Sequence, residues 1–335
     1  MLAVKFIESV RRAESTGFRV AVVGAGPAGL AAAAELACRG HEVHVYDRLP
    51  EPGGMLMFVI PDFRFPKESV REGIRELERL GVVFRVGVEV DSKLSISSLI
   101  DDYDAVLVAT GTWRSRRLNV KGEDLDGVHY ALEWMHRYVL HKLGYSSPPE
   151  PLSGSLVVVG AGLSAVDVCE VAIREFGARP VVVYRRPLRV APAAPLLSKL
   201  VEKGLVKVVE NVVPVEILGN QMVEGIKVVR VSPTERRVEE VKPIPGTEQV
   251  IEAERIIVAA GLLPTPPHSL LRLGVRVGTD GSIMVDENYM TSLRKVFAAG
   301  DVAQGPTSVW RAMASGRRAA DRIDKYLRAS EHLVG

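Results

Sequence analysis

Two segments of the chain share one pattern: an uninterrupted aliphatic run, a glycine-rich turn, then small and apolar residues at helical spacing. The first runs from Val20-Ala21-Val22-Val23 into Gly24-Ala25-Gly26-Pro27-Ala28-Gly29, and the second from Leu156-Val157-Val158-Val159 into Gly160-Ala161-Gly162-Leu163-Ser164-Ala165. Apolar runs without alternation predict strands buried on both faces, as in parallel sheets. Each helical stretch is followed by a glycine, Gly40 or Gly177, where a C-terminal cap belongs. Second strands follow at His44-Val45-Tyr46 and Val181-Val182-Val183-Tyr184. A further matched pair, Asp104 to Gly111 and Glu254 to Gly261, reads as a buried strand ending in a small-residue turn. Val296 to Asp301 is one more strand, closed by Gly300-Asp301, and a helix is expected from Thr307 to Tyr326. The chain therefore repeats a β-α-β unit, and the expected fold is α/β with two Rossmann-like, doubly wound dinucleotide-binding domains.

The turn explains its own residue types. The first glycine permits the tight bend, the second leaves room where a pyrophosphate approaches, and the third brings helix against strand, with the helix amides facing the phosphates. The two copies differ where the second strand ends. Asp47 is an acceptor for a ribose hydroxyl pair and repels a 2′-phosphate, whereas the Arg185-Arg186 guanidinium forks suit one. FAD is accordingly assigned to the first unit and NADPH, in preference to NADH, to the second. Asp301 is placed to accept hydrogen bonds from ribityl hydroxyls, and the amides of the following helix face a flavin carbonyl.

Composition narrows the chemistry further. The 335 residues exceed one typical domain, and 47% hydrophobic with 25% charged residues is globular. A net charge of +2 from 43 basic and 41 acidic residues, with no long basic run, gives no reason to expect nucleic acid or membrane binding. The only cysteines, Cys38 and Cys169, are too few for a cubane cluster or a structural zinc site and too far apart for a C-x-x-C pair, and the scattered histidines suggest no metal. Met1 to Thr16 lacks a signal-peptide core and Val20 to Ala34 is too short to span a bilayer, so a cytoplasmic protein is expected. Scarce Asn and Gln with abundant Val and Arg suggest a thermophilic source. Trp113, Trp134 and Trp310 either stack on a ring or fill a boundary; of the three, Trp310 sits near an expected flavin contact, and packing is favoured even there. A linker helix is expected from Tyr130 to Leu143, followed by the stiff connector Ser146 to Pro151.

With these residues in place, the chain resembles the small (beta) subunit of glutamate synthase and the flavin subunits of NADPH-dependent ferredoxin oxidoreductases, which are two-dinucleotide-binding-domain flavoproteins. The segments that carry the resemblance are Glu51 to Phe63, Val183 to Arg186, Pro243 to Glu248 and Ala298 to Pro306. It implies an FAD domain built from residues 1–117 and 264–335, interrupted by an NADPH domain at 118–263 whose first part, 118–152, is linker. It also implies FAD contacts at Gly24, Gly26, Pro27, Ala28, Asp47, Arg48, Gly54, Met55, Val90, Thr110, Gly111, Gly300, Asp301, Thr307, Ser308 and Val309. NADPH contacts are implied at Gly160, Gly162, Leu163, Ser164, Ala165, Arg185, Arg186 and Gly261. Val59 stands where the family has a glycine, and the proline-rich stretch Val190 to Pro195 lacks the family's following acids. Only about seventeen residues precede the first strand, where the family's glutamate synthase subunits carry a cysteine-rich cluster domain. The implied activity is hydride transfer between NADPH and flavin, with electrons exchanged with a ferredoxin or a separately encoded iron–sulfur or large subunit. Alternatives are a thioredoxin-reductase-like enzyme without its own cysteine pair, and a redox-sensing subunit that binds FAD and nucleotide without turnover.

Overall fold

The computed structural model describes residues 5–7, 13–233 and 242–331, so parts of the Met1 to Thr16 segment lie outside the described residues. In chain order the strands are β1 (Arg19–Val23), β2 (Glu42–Tyr46), β3 (Val83–Arg85), β4 (Ala105–Val108), β5 (Arg114–Ser115), β6 (Val128–Tyr130), β7 (Leu156–Val159), β8 (Val181–Tyr184), β9 (Lys207–Glu210), β10 (Val212–Gly219), β11 (Val223–Arg230), β12 (Gln249–Glu252), β13 (Arg255–Val258), β14 (Leu262–Leu263) and β15 (Val296–Ala298). The helices are α1 (Pro27–Cys38), α2 (Met55–Phe58), α3 (Lys67–Arg79), α4 (Ile96–Asp102), α5 (Ala131–Lys142), α6 (Leu163–Phe176), α7 (Ala194–Glu202), α8 (His268–Arg272), α9 (Asp301–Gln304) and α10 (Val309–Glu331). They form two compact units, Met1–Arg114 with Leu262–Gly335, and Ser115–Gly261.

The first unit is built on a parallel sheet in the order β15-β4-β1-β2-β3. Val20, Ala21 and Val22 are fully buried at its centre, which is why this strand carries no polar alternation. On one face the sheet residues Ala21, Val23, Val106 and Val108 pack with Ile96, Leu99, Leu270 and Ile283. Half of helix α1 is alanine, and it is buried nearly all round. Its closest neighbour is α10, and a Cβ added at Gly316 would lie 2.0 Å from the Ala28 carbonyl oxygen. The order in which strands are added reverses at β1, with β2 on one side and β4 on the other, so a crevice opens beyond the carboxyl ends of β1 and β4.

The second unit repeats the plan with β7 in the place of β1, in a parallel sheet ordered β6-β13-β7-β8-β9. An antiparallel sheet, β10-β11-β12, completes it. Val157, Val159 and Val183 share a core with Val212, Ile217, Ile226 and Val228, so the antiparallel sheet covers an apolar face of the parallel one. Gly177 ends α6 in the left-handed conformation at φ 65°, and Gly40, at φ 90°, ends α1 in the same role, with its amide on the Ala37 carbonyl and the His41 amide on the Leu36 carbonyl, so both glycines stand where their positions predict. The expected C-terminal helix runs Val309–Glu331 and the expected linker helix Ala131–Lys142.

A buried polar knot ties the turn after α1 to α10. His41 is 1% exposed, with Nε2 2.9 Å from Asp324 Oδ1 and Nδ1 2.7 Å from the Thr16 hydroxyl. The Asp324 carboxylate only accepts, so Nε2 carries the proton and Nδ1 accepts from Thr16. Arg39 and Arg328 also donate to Asp324, at 2.9 and 2.8 Å. Burial raises the Asp324 carboxyl pKa, but these donors outweigh it and the net shift is downward. Burial lowers the His41 pKa, and Asp324 only partly offsets this while Arg328 and Arg39 add to it.

Two outcomes are expected. Gly316→Val forces a side chain into the Ala28 carbonyl, so melting should show a loss of about 1 to 3 kcal/mol or more, as for overpacked cores; an unchanged melting temperature would contradict the helix contact. A histidine with a depressed folded pKa binds its proton more readily when unfolded. Stability should therefore be level above the ordinary histidine value of about 6.5 and fall as pH drops below it. His44, lowered mainly by burial, acts in the same direction. Melting of His41→Gln across this range should show a shallower fall than the parent; an identical slope would remove His41 from the account.

Candidate functional site

At the switch point of the first unit, Gly24 has φ 110°, and a Cβ there would lie 2.4 Å from the Ala109 carbonyl oxygen and 3.1 Å from the Thr110 amide. The turn is thus pressed against the end of β4, which brings Gly24 and Thr110 together. Gly26 faces open space, with nothing within 4 Å of its Cβ direction. It is also the N-cap of α1, which has no side-chain cap and no acid in its first turn. Uncapped amides beside an open cradle are the features of an anion-binding helix N-terminus. Asp47 Oδ2 accepts from the Ala25 amide at 2.6 Å and Oδ1 from Leu49 at 2.8 Å. Its carboxyl is raised by desolvation, against those amide bonds and the nearby Arg48.

The remaining residues of this set converge on the same turn from other elements. The Gly53 amide donates to the Ala25 carbonyl at 2.8 Å, and a Cβ on Gly54 would lie 2.7 Å from the Gly26 Cα. That stacks the Gly53–Gly54 loop, and Met55 at the start of α2, on the phosphate turn. Val59 has φ −132°, so the valine occupies an ordinary backbone conformation where the family carries glycine. A Cβ on Gly300 would lie 2.6 Å from the Ala28 Cβ, which sets Asp301 beside the turn. Asp301 Oδ1 accepts from the Thr307 hydroxyl at 2.7 Å, and burial raises its carboxyl pKa against that bond. Ser308 and Val309 follow at the start of α10. Thr110 donates to the Thr265 carbonyl at 2.8 Å, and the Thr265 amide donates to Gly111 at 3.0 Å. Val90 lies farther along, against the sheet core, two residues past Val88, whose amide bonds the Asp47 carbonyl.

The second unit reproduces the geometry with opposite charge. Gly160 has φ 123°, and its Cβ would meet the Ala259 carbonyl oxygen at 2.3 Å, as Gly24 meets Ala109. Gly162 faces open space and is the uncapped N-cap of α6, again without an acid in the first turn. Leu163 is 52% exposed and Ser164 exposed at the mouth of this turn, while Ala165 is fully buried where the first copy has Gly29. Gly261, at φ 107°, also faces open space. Arg186 is 8% exposed, stands 5.9 Å from the Tyr184 ring, and has no carboxylate partner among the described residues. The Arg185 pKa is lowered, first by desolvation and then by Arg186 and Arg116. An unneutralised guanidinium group of this kind is an anion site.

Three positions escaped the sequence reading. Arg116 joins Arg185 and Arg186 from an irregular segment with no periodic signal. Trp113 holds the Arg48 guanidinium 5.3 Å from its ring, beside Gly111. Gly316 was detectable, because an isolated glycine within a helical pattern marks close packing. Trp310, expected to pack, is instead 68% exposed, because it lies on the face of α10 turned away from α1. The free cysteines lie one in each unit, and Cys169 is fully buried with its thiol pushed up to about 12 by desolvation. Among the described residues no group of His, Cys, Asp and Glu is arranged to hold a metal, and no helix is long and apolar enough to cross a membrane.

Comparison with known proteins agrees with this geometry. The family model "Pyridine nucleotide-disulphide oxidoreductase" matches residues 18–316. The glutamate synthase [NADPH] small chain of Halomonas elongata is 35% identical, covering 93% of this chain and 68% of that protein. The Escherichia coli small chain is 34% identical, covering 94% and 70%. The beta subunit of the NADP(+)-dependent formate dehydrogenase of Moorella thermoacetica is 36% identical over 94% of this chain and 45% of its own length. In fold, the chain matches Mycobacterium tuberculosis FprA in complex with NADPH at a TM-score of 0.81 and 21% identity, covering 95% and 86% of the two chains. It matches T. acidophilum thioredoxin reductase at a TM-score of 0.66 and 23% identity, covering 92% and 98% of the two chains. The chain belongs to the pyridine nucleotide-disulphide oxidoreductase family of NAD(P)H-dependent flavin enzymes, and its relatives within it include the small chains of glutamate synthase.

Proposed function

We propose that this protein is an NADPH-dependent FAD oxidoreductase that exchanges electrons with an iron–sulfur protein or larger subunit, with FAD on the first unit and NADPH on the second. One observation carries the reading: two turns of equal geometry, each with uncapped helix amides, end in Asp47 in one copy and in the unpaired Arg185-Arg186 pair in the other. An aspartate that already accepts backbone amides favours ribose hydroxyls and disfavours a 2′-phosphate, while two guanidinium groups without carboxylates favour it. Bound FAD supplies a two-electron acceptor for the nicotinamide hydride. The chain's own work is orientation and electrostatics, and hydride transfer requires no protein acid or base. Gly24 and Gly54 shape the cradle, Thr307 orients Asp301 toward ribityl hydroxyls, and the start of α10 favours negative charge on the reduced flavin. The relatives described as small chains motivate a larger partner. With one deeply buried thiol and the second cysteine on the other unit, a dithiol relay has no support among the chain's cysteines.

The test is anaerobic stopped-flow on FAD-loaded protein. NADPH should bleach the flavin band faster than NADH does, and Arg185→Ala with Arg186→Ala should abolish the difference. Each guanidinium–phosphate contact is worth about 1.5 to 3 kcal/mol, or roughly tenfold or more in affinity. Absence of bleaching would favour a binding subunit without turnover, and unchanged discrimination in the double variant would refute the 2′-phosphate assignment.

A further inference from the structure

Helix α10 distributes its charges against its own dipole. A helix is stabilised by acids in its first turn and bases in its last. The first turn of α10 holds no acid, and its N-terminal half carries Arg311, Arg317 and Arg318 with no carboxylate at all. In the C-terminal half two of the bases have partners on the same helix: Lys325 pairs with Asp321 at 2.8 Å and Arg328 with Asp324 at 2.8 Å. Arg317 is engaged inward, with its guanidinium 6.0 Å from the Trp310 ring and bonds to the Lys5 and Phe6 carbonyls. Arg311, Arg318 and Arg322, spaced i, i+7 and i+11, form one outward stripe and pair with no carboxylate among the described residues. Beside them Trp310 is 68% exposed, and a cavity of 330 Å³ opens between Trp310, Gln304, Arg311, Ala314, Ser315 and Arg318.

An exposed tryptophan beside Arg311 and Arg318, which pair with no carboxylate among the described residues, has the composition of a protein-binding hot spot, and solubility alone does not explain the bare indole. The stripe begins two turns or fewer from Thr307 to Val309, where the proposed function places the flavin. We infer that this face of α10 is the docking surface for the acidic face of an iron–sulfur electron carrier, whose carboxylates seat in the cavity between Arg311 and Arg318 and whose apolar contact is Trp310. The inference rests on the proposed flavin reductase activity. Its charge complementarity steers encounter, so it should act on association and respond to salt.

The probe is an acidic bacterial two-cluster [4Fe–4S] ferredoxin, assayed with the FAD-loaded protein and NADPH beside a small dye acceptor. For the parent protein, ferredoxin reduction should weaken as salt rises. In the Arg311→Glu, Arg318→Glu double variant, KM for ferredoxin should rise by about tenfold or more with the salt response flattened, as expected for a reversed charge contact. Dye reduction and melting temperature should be unchanged. Equal KM and equal salt response in the two proteins would overturn the inference, as would a parent that reduces the dye but not ferredoxin at any salt; both leave the reductase reading standing. A dimer of the parent that the double variant breaks would give the face to a second copy and overturn it too. Failure of NADPH to reduce either flavin or dye would overturn the reductase reading and this inference with it.

Discussion

The rest of the structure depends on the approach of a strand-end glycine to the carbonyl of the neighbouring strand. At Gly24 and at Gly160 a Cβ would come within 2.4 and 2.3 Å of that oxygen, so each turn admits only glycine and is pinned to the adjacent strand. Pinning fixes where the next helix begins. The amides of α1 and α6 then project into the crevice with no side chain to cap them, and the strongest way to satisfy them is an anion. Everything chemical in either unit is arranged around those two helix ends.

From that shared frame the units diverge by electrostatics and packing. In the first, the Gly53–Gly54 loop and the Gly300–Asp301 turn close on the cradle, and the close contact of Gly316 with Ala28 sets α10 against α1. The polar knot of His41, Asp324, Arg39 and Arg328 fixes the opposite end of that helix pair. In the second, Ala165 replaces the third glycine, and the strand end gathers Arg185, Arg186 and Arg116, with no carboxylate paired to Arg185 or Arg186 among the described residues. One unit is thus closed around a strand-end aspartate and the other carries strand-end arginines, the division on which the proposed placement of two nucleotides rests.

Much of this was legible in the sequence because it is carried by short-range patterns. Buried parallel strands show as unbroken valine runs, and a turn that must be glycine shows as glycine, so the duplicated fold and the Asp47 and Arg185-Arg186 contrast could be read directly. What was hidden is long-range. Arg116 reaches its neighbours from an irregular segment, and the Trp113–Arg48 contact joins residues far apart in the chain with no periodicity to announce it. Trp310 was misjudged because hydrophobicity predicts burial, while the small residues of α1 select the opposite face of α10 for contact.

The central claim is that duplicated geometry with opposite strand-end charge separates the two nucleotides, and calorimetric titration tests it most directly. Adenosine 2′,5′-bisphosphate and 5′-AMP differ only in the phosphate that Arg185 and Arg186 are argued to read. FAD-loaded protein should bind the bisphosphate at least roughly tenfold more tightly, one guanidinium–phosphate contact's worth, with the gain shrinking as salt rises. Equal affinity for the two ligands would contradict the account.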